Sequence, residues 1–379
     1  MLGAIIGDVI GSRFELNNTH EIDFELFSED CSFTDDTVLT VAISKALVYE
    51  TEFAIKIKEY ALKYPNAGYG KMFKNWLYDK NEIKGNSYGN GSAMRISSIA
   101  LAFDNLDIVL KKIEESCLMT HNHIDAIRGA KAIGSCIFHA RNNKSKKYIK
   151  TYIEEHFHYN LDFTLDSIRG IYKFDSSCNG SVPQSIVSFL ESKDFIHAIR
   201  LAISIGGDSD TIAAMTGSIA EAYYKAIPEE IICQCFERLT FDLKDDILGY
   251  YIKYPNFLSE KEIEYFSLNV LSAEKLIEGK NDNYKVVEKS LIGIIDDKGE
   301  KVIYNDGTKL PSTEPYNNRY YEKNAVLIRR CNDSKTFIVI VGGGYIERTS
   351  LCWPPFELER PIFIECSDKL FHSLFPIKV

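Results

Sequence analysis

The sequence contains no apolar run of the ~20 residues that a membrane-spanning helix requires, so a transmembrane protein is not expected. Its apolar start, Met1 to Gly11, lacks the basic flank of a signal peptide and carries Asp8 inside it. That stretch therefore reads as a core segment. Basic charge is not in excess: 44 Lys and Arg stand against 54 Asp and Glu, giving a net charge of −10. Such a surface repels nucleic acid, and no nucleic-acid partner is expected. The nine cysteines are odd in number and scattered, and no pair of CxxC motifs occurs, which argues against a disulfide framework and a zinc site. They read as buried apolar thiols in a reducing compartment, and a cytoplasmic location is the expectation. A GxGxxG phosphate loop is missing as well. Gly342, Gly343 and Gly344 lack its spacing and its strand–loop–helix setting, and read as a hairpin turn.

What is present is a large apolar complement. The 379 residues are 45% apolar, with 22 Phe and 22 Tyr, enough for two or three domains. Up to about Lys275 the apolar spacing is helical and period-two runs of β-branched residues are few. The expected helices include Val38–Tyr49, Ile124–Ala140, Gln184–Leu190, Phe195–Ser204, Thr211–Ala226, Glu229–Leu243 and Glu260–Glu274. This predicts an all-α bundle over residues 1–278 whose polar loops carry the chemistry. After the polar stretch 278–283, strand-like runs alternate with turn signals, among them Leu291–Ile295, Ala325–Arg330, Thr336–Val341 and Tyr345–Arg348. Residues 284–379 are therefore expected to form a small β-rich accessory domain.

Two acidic motifs stand before buried-looking helices: Thr34-Asp35-Asp36-Thr37 and Asp208-Ser209-Asp210-Thr211. Each alone reads as an N-cap, for which one side-chain oxygen is enough. Four carboxylates gathered in one place would repel one another unless a cation lay between them. Oxygen donors without His or Cys suit magnesium, calcium or manganese. Gly3, Gly7 and Gly11 recur every four residues and so share a helix face that permits close packing, and Glu15 falls just past that helix. The loop from Gly85 to Arg95 is rich in Gly, Asn and Ser and enters an apolar stretch. Its backbone N–H groups suit phosphate and Tyr88 suits a base, although an ordinary turn has the same composition. His121 and His123 precede the helix from Ile124, where a His could hydrogen-bond a sugar or phosphate, or equally Thr120 or Asn122 could cap the helix with both histidines idle. Cys178 has no evident His partner and reads as structural.

In this order and spacing, the motifs resemble those of the ADP-ribosylglycohydrolase family, which includes the dinitrogenase reductase-activating glycohydrolase and the ADP-ribosyl-acceptor hydrolases. The matching residues are Gly7-Asp8 with Gly11 and Glu15, Thr34 to Thr37, Tyr64 to Gly70 with Trp76, Ser87 to Arg95, Thr120 to His123, and Gly206 to Thr211. The resemblance implies an all-α orthogonal helical bundle with two magnesium or manganese ions held by Thr34, Asp35, Asp36, Asp208, Asp210 and Thr211. It implies that Ser87, Tyr88, Gly89, Asn90, Gly91 and His121 contact ADP-ribose. Glu15, Asp35 and Asp208 are the implied catalytic carboxylates. The implied activity is metal-dependent cleavage of the C1″ glycosidic bond of an ADP-ribosylated protein, with arginine as the first acceptor to consider and serine the second. A non-catalytic ADP-ribose-binding module and a hydrolase of a small ADP-ribosyl compound are the alternatives. A monomer acting on protein substrates and releasing ADP-ribose, with no membrane partner, completes the expectation. The tail from 284 matches nothing in that family.

Overall fold

In a computed structural model the chain divides into two compact units, Met1–Leu258 and Ser259–Val379. The described residues are 1–79 and 84–254, together with the backbone of five strands between 284 and 365. The first unit is helical. Its helices are α1 (Leu2–Gly11), α2 (Asp35–Tyr49), α3 (Phe53–Lys63), α4 (Lys71–Tyr78), α5 (Ser97–Ala102), α6 (Leu106–Cys117) and α7 (Ile124–Arg141). They continue with α8 (Lys146–Phe157), α9 (Leu165–Ile168), α10 (Cys178–Glu191), α11 (Phe195–Ser204), α12 (Ser209–Tyr224), α13 (Glu229–Glu237) and α14 (Phe241–Lys253).

The centre of the unit is α12 lying against α1. Every residue of α1 is buried, and α12 is buried from Ser209 to Ala222, so neither helix needs a polar face. The glycine repeat sets their separation. A Cβ placed on Gly3 would sit 2.2 Å from the Gly217 carbonyl oxygen, one on Gly7 2.2 Å from that of Ala213, and one on Gly11 2.5 Å from the Asp210 Cα. Only glycine lets the backbones approach this closely, and the approach carries Asp8 of α1 alongside Asp210 of α12. Gly7→Ala is expected to destabilise by about 1–3 kcal/mol, the usual cost of overpacking. Its thermal midpoint should fall and its activity should fall with it, since the two acid-bearing helices move apart.

Helix α2 starts at Asp35 instead of Val38, α12 runs Ser209–Tyr224 instead of Thr211–Ala226, and α9 is not in the sequence expectation, but two departures are larger. Helix α10 starts at Cys178 and not at Gln184. Asn179, Gly180 and Pro183 look like a turn, but Ser177 caps the helix by accepting from the Gly180 amide at 3.0 Å, and Pro183 forgoes one bond inside it. The single helix expected over Glu229–Leu243 is broken into α13 and α14. The break lies at Thr240, which is extended and whose hydroxyl pairs with the Tyr64 hydroxyl at 2.8 Å. Helix α11 has the expected bounds. The helix expected over Glu260–Glu274 lies outside the described residues.

In the second unit the strands are β1 (Tyr284–Ile295), β2 (Lys301–Ile303), β3 (Tyr320–Arg330), β4 (Thr336–Ile346) and β5 (Ile362–Glu365). They form an antiparallel sheet in the order β2-β1-β3-β4-β5. Gly342, Gly343 and Gly344 are not a hairpin turn. They lie within β4, with Gly342 opposite Lys323 and an irregularity in register between Tyr321 and Lys323. Glycine inside a strand commonly marks such a bulge.

Candidate active site

The first acidic motif is organised by a residue outside it. Asp8, buried in α1, accepts from the Thr34 amide at 2.9 Å, the Thr34 hydroxyl at 2.7 Å, the Thr37 amide at 3.0 Å and the Thr37 hydroxyl. Asp8 thereby satisfies part of the N-terminus of α2, while Thr34 Oγ1 accepts from the Asp36 amide at 3.3 Å. In the sequence Asp8 counts among the family-matching residues but carries no implied metal or catalytic role. The available signal was one carboxylate inside an otherwise apolar helix.

The second motif depends on its glycines. Gly206 and Gly207 have φ of +78° and +77°, a left-handed conformation that side chains resist, and they turn the chain into α12 at Asp208. Asn18 clasps this turn, donating to the Gly207 carbonyl at 3.0 Å and accepting from its amide at 2.9 Å. Tyr172 covers it, with a ring carbon 2.3 Å from where a Gly207 Cβ would lie. The two motifs then meet. The Thr211 hydroxyl donates to Asp36 Oδ2 at 3.1 Å, and Asp210 Oδ1 accepts from the Thr211 amide at 2.9 Å. The Asn90 amide donates to Asp208 Oδ2 at 2.7 Å and to the Ser181 hydroxyl at 3.2 Å, so its side chain holds Asp208 in place.

The opposite wall is the loop Ser87–Gly91. Ser87 Oγ accepts from the Gly89 backbone N–H at 3.1 Å, the Asn90 backbone N–H donates to the Ser176 carbonyl at 2.8 Å, and Asn86 forms a β-bridge with His121. His121 is buried against this loop. His123 is not beside it in the cleft: it caps α7 by accepting from the Asp125 amide at 3.2 Å, a task expected of Thr120 or Asn122. Tyr88 is exposed and meets His123 edge-on, with ring centroids 5.8 Å apart. Cys178 is buried beneath the loop, its thiol donating to the Gly89 carbonyl at 3.4 Å, and burial pushes its pKa up to about 12. That environment suits packing and not nucleophilic attack.

Both walls enclose one cleft of about 440 Å³. Glu15, Thr34, Asp35, Asp36, Asp208, Asp210 and Thr211 line one side, and Ser87 to Gly91 with His121 the other. Among the described residues two groups of carboxylates have oxygens within 4.8 Å of one another: Asp8, Asp36 and Asp210, and Glu15, Asp208 and Asp210. Asp210 belongs to both. Asp36 Oδ1 is buried with no hydrogen-bond partner among the described residues, an oxygen that a cation would satisfy. The oxygen-only donor set fits hard divalent ions.

The sequence profile of the ADP-ribosylglycohydrolase family matches residues 1–256, which include every residue of this cleft. The chain belongs to that family. ADP-ribosylhydrolase ARH3 of Mus musculus is 25% identical to it over 329 residues, covering 62% of this chain and 87% of that protein. The ADP-ribosyl-(dinitrogen reductase) glycohydrolase of Rhodospirillum rubrum is 23% identical over 249 residues, covering 59% and 83%. A solved chain of an ADP-ribosylglycohydrolase-related protein complex superposes with a TM-score of 0.50 at 20% identity, over 67% of this chain and 97% of that one, a likeness of fold. The strand unit lies beyond the matched residues.

The carboxylates of this ADP-ribosylglycohydrolase are under electrostatic stress. Burial raises the pKa of Asp8 and of Asp208 to about 6. Burial, reinforced by the charge of Asp8, raises that of Asp35 to about 8. Burial and mutual repulsion push Asp36 and Asp210 well above the ordinary range, and burial raises Glu15. Such groups bind more protons folded than unfolded. Metal-free stability is therefore fullest below the ordinary carboxylate range and is lost as pH rises through about 6 and then about 8. Thermal melts of EDTA-treated protein should show the midpoint falling across that window, and magnesium should cancel the fall. A midpoint that is flat with pH, or that magnesium leaves unmoved, would count against cation binding at these carboxylates.

Proposed function

We propose that this enzyme hydrolyses the C1″ glycosidic bond between ADP-ribose and a protein side chain, with arginine the first acceptor to test and serine the second. The observation that carries the reading is a single cleft with a clustered carboxylate wall facing a Gly/Asn loop suited to phosphate. Asp8, Asp36 and Asp210 would hold one divalent cation, and Asp208 with Asp210 a second, with Glu15 beside it and free to carry a proton. Asp35, Thr34 and Thr211 adjoin them on the same wall. Magnesium or manganese, when bound, supplies a grip on vicinal ribose hydroxyls and lowers the pKa of water.

The chain's own groups do the rest. Within the loop the Ser87, Gly89 and Asn90 N–H groups are engaged by the Thr120 carbonyl, Ser87 Oγ and the Ser176 carbonyl, so the N–H groups of Tyr88 and Gly91 are the ones offered to the diphosphate, with the Tyr88 ring beside the base. Asn90 fixes Asp208. Glu15 lies half-buried at the cleft on the turn after α1, where desolvation raises its pKa toward the range useful for moving protons. It takes a proton from attacking water or gives one to the leaving group as the sugar passes through an oxocarbenium-like state. A full carboxylate set with Glu15 in the cleft supports hydrolysis over mere binding. The strand unit is assigned no chemistry and a role in substrate choice. A chain ending after Lys280 should then still cleave a small ADP-ribosyl compound but lose activity on protein, and loss of both would refute that role.

The deciding experiment incubates the purified protein with arginine- and serine-ADP-ribosylated proteins and a small ADP-ribosyl compound, with magnesium or with EDTA. Free ADP-ribose should appear only with metal, and from one acceptor in preference. Release from none of the three would refute the reading. Release from the small compound alone would transfer the activity to that substrate class.

A further inference from the structure

Arg95 is the largest fully buried side chain described, and no carboxylate among the described residues forms an ion pair with it. Its Nη2 donates to the Ser116 carbonyl at 3.1 Å and to Thr120 Oγ1 at 2.7 Å, while Nε and Nη1 have no partner among the described residues. A guanidinium is always a donor, so the Thr120 hydroxyl is an acceptor in this bond. The same hydroxyl oxygen lies 2.8 Å from His121 Nδ1. Thr120 is buried, and among the described residues its hydroxyl oxygen has these two partners. If Nδ1 carried a proton, the hydroxyl would accept twice and its own proton would be left buried without an acceptor, which is costly. The arrangement that satisfies both the Thr120 hydroxyl and His121 Nδ1 has the hydroxyl donating to Nδ1. The imidazole proton is then on Nε2. That nitrogen faces the cleft, 3.0 Å from where a Gly91 Cβ would lie and 3.9 Å from where a Gly89 Cβ would lie.

We propose that Arg95 and Thr120 are positioning residues that hold His121 as the neutral Nε2–H tautomer, a fixed donor for an anionic diphosphate oxygen lodged beside Gly89 and Gly91. This rests on the reading of the cleft as an ADP-ribose site. Burial and the charge of Arg95 hold the His121 pKa well below its ordinary value, so the ring stays neutral. A neutral ring without this restraint divides between two tautomers, and the Nδ1–H form turns a lone pair toward the phosphate. The absence of side chains at Gly89 and Gly91 leaves room for the oxygen that Nε2 meets.

The test uses the full chain labelled with ¹⁵N-histidine. Two-bond ¹H–¹⁵N correlation spectra distinguish the tautomers without any ligand. Wild-type His121 is expected as Nε2–H alone. Thr120→Val should give a mixture, and Thr120→Ser should restore the single form. Titration calorimetry with ADP-ribose should show affinity about tenfold weaker for Thr120→Val, the loss of roughly one net hydrogen bond, and normal for Thr120→Ser. In turnover the loss should fall on KM and leave kcat nearly unchanged. A wild-type ring protonated at Nδ1 overturns the proposal, as does a Thr120→Val spectrum identical to wild type or an altered tautomer with unaltered affinity. Should Thr120→Val fail to fold, the wild-type spectrum still decides the tautomer. If the wild-type protein shows the expected tautomer but binds no ADP-ribose, the hydrogen-bond chain stands and the functional reading falls.

Discussion

Asp210→Ala is expected to abolish magnesium-dependent activity, with a loss in kcat on the order of 10³-fold or more, beyond the 10²–10³ attributed to a single electrostatic donor. The reason is that Asp210 is the one carboxylate common to both groups of clustered oxygens. Removing it leaves Asp8 and Asp36 without their third member, and likewise Glu15 and Asp208. It also relieves repulsion. Asp210 is pushed well above the ordinary carboxylate range by burial first and then by the charges of Asp208, Asp8 and Glu15. The metal-free variant should therefore melt no lower than the metal-free wild type, even as its response to magnesium disappears. This combination separates loss of a ligand from loss of fold. An Asp210→Ala protein that keeps full activity after EDTA treatment would rule out a role for metal at this position.

Glu15→Gln is expected to lower kcat by about 10²–10⁴, the range for a positioned acid–base group, while leaving ADP-ribose affinity within a fewfold of wild type. Glutamine keeps the size and polarity of the side chain but cannot hold or release a proton. Glu15 follows the turn Ser12–Phe14, which continues α1 beyond Gly11, so its place in the cleft is fixed by the same helix that carries Asp8. The profile of kcat against pH should lose the limb that Glu15 contributes. Equal losses in affinity and turnover would make Glu15 a binding residue.

Much of this site is visible in the sequence because short-range rules generate it. The two acidic motifs stand before long apolar stretches, and the glycine spacing in α1 announces a close helix contact before any partner is known. The bounds of α11 follow from apolar spacing alone. What stays hidden is set by contacts distant in sequence. Asp8 reads as an oddity in an apolar helix until α1 is laid on α12 and α2 is brought to it. Asn18 and Tyr172 are unremarkable until they close over Gly207. Asn90 has the composition of a ligand-contacting loop residue, yet its amide is engaged with Asp208. Arg95 closes the polar loop with nothing in the local sequence to mark it as internal, and it is fully buried. The start of α10 is masked by Asn179, Gly180 and Pro183, whose turn propensity is overridden by the Ser177 cap and by tertiary packing.

The central claim is that the paired carboxylate groups hold two divalent cations on which glycosidic cleavage depends. Titration of magnesium into EDTA-stripped, full-length protein by calorimetry, run in buffers of different ionisation enthalpy, tests it most directly. Two equivalents per chain should bind, protons should be released on binding because the carboxyl groups hold them in the metal-free state, and affinity should rise with pH through about 6 to about 8. The absence of magnesium or manganese uptake, or ADP-ribose release undiminished in EDTA, would contradict the account.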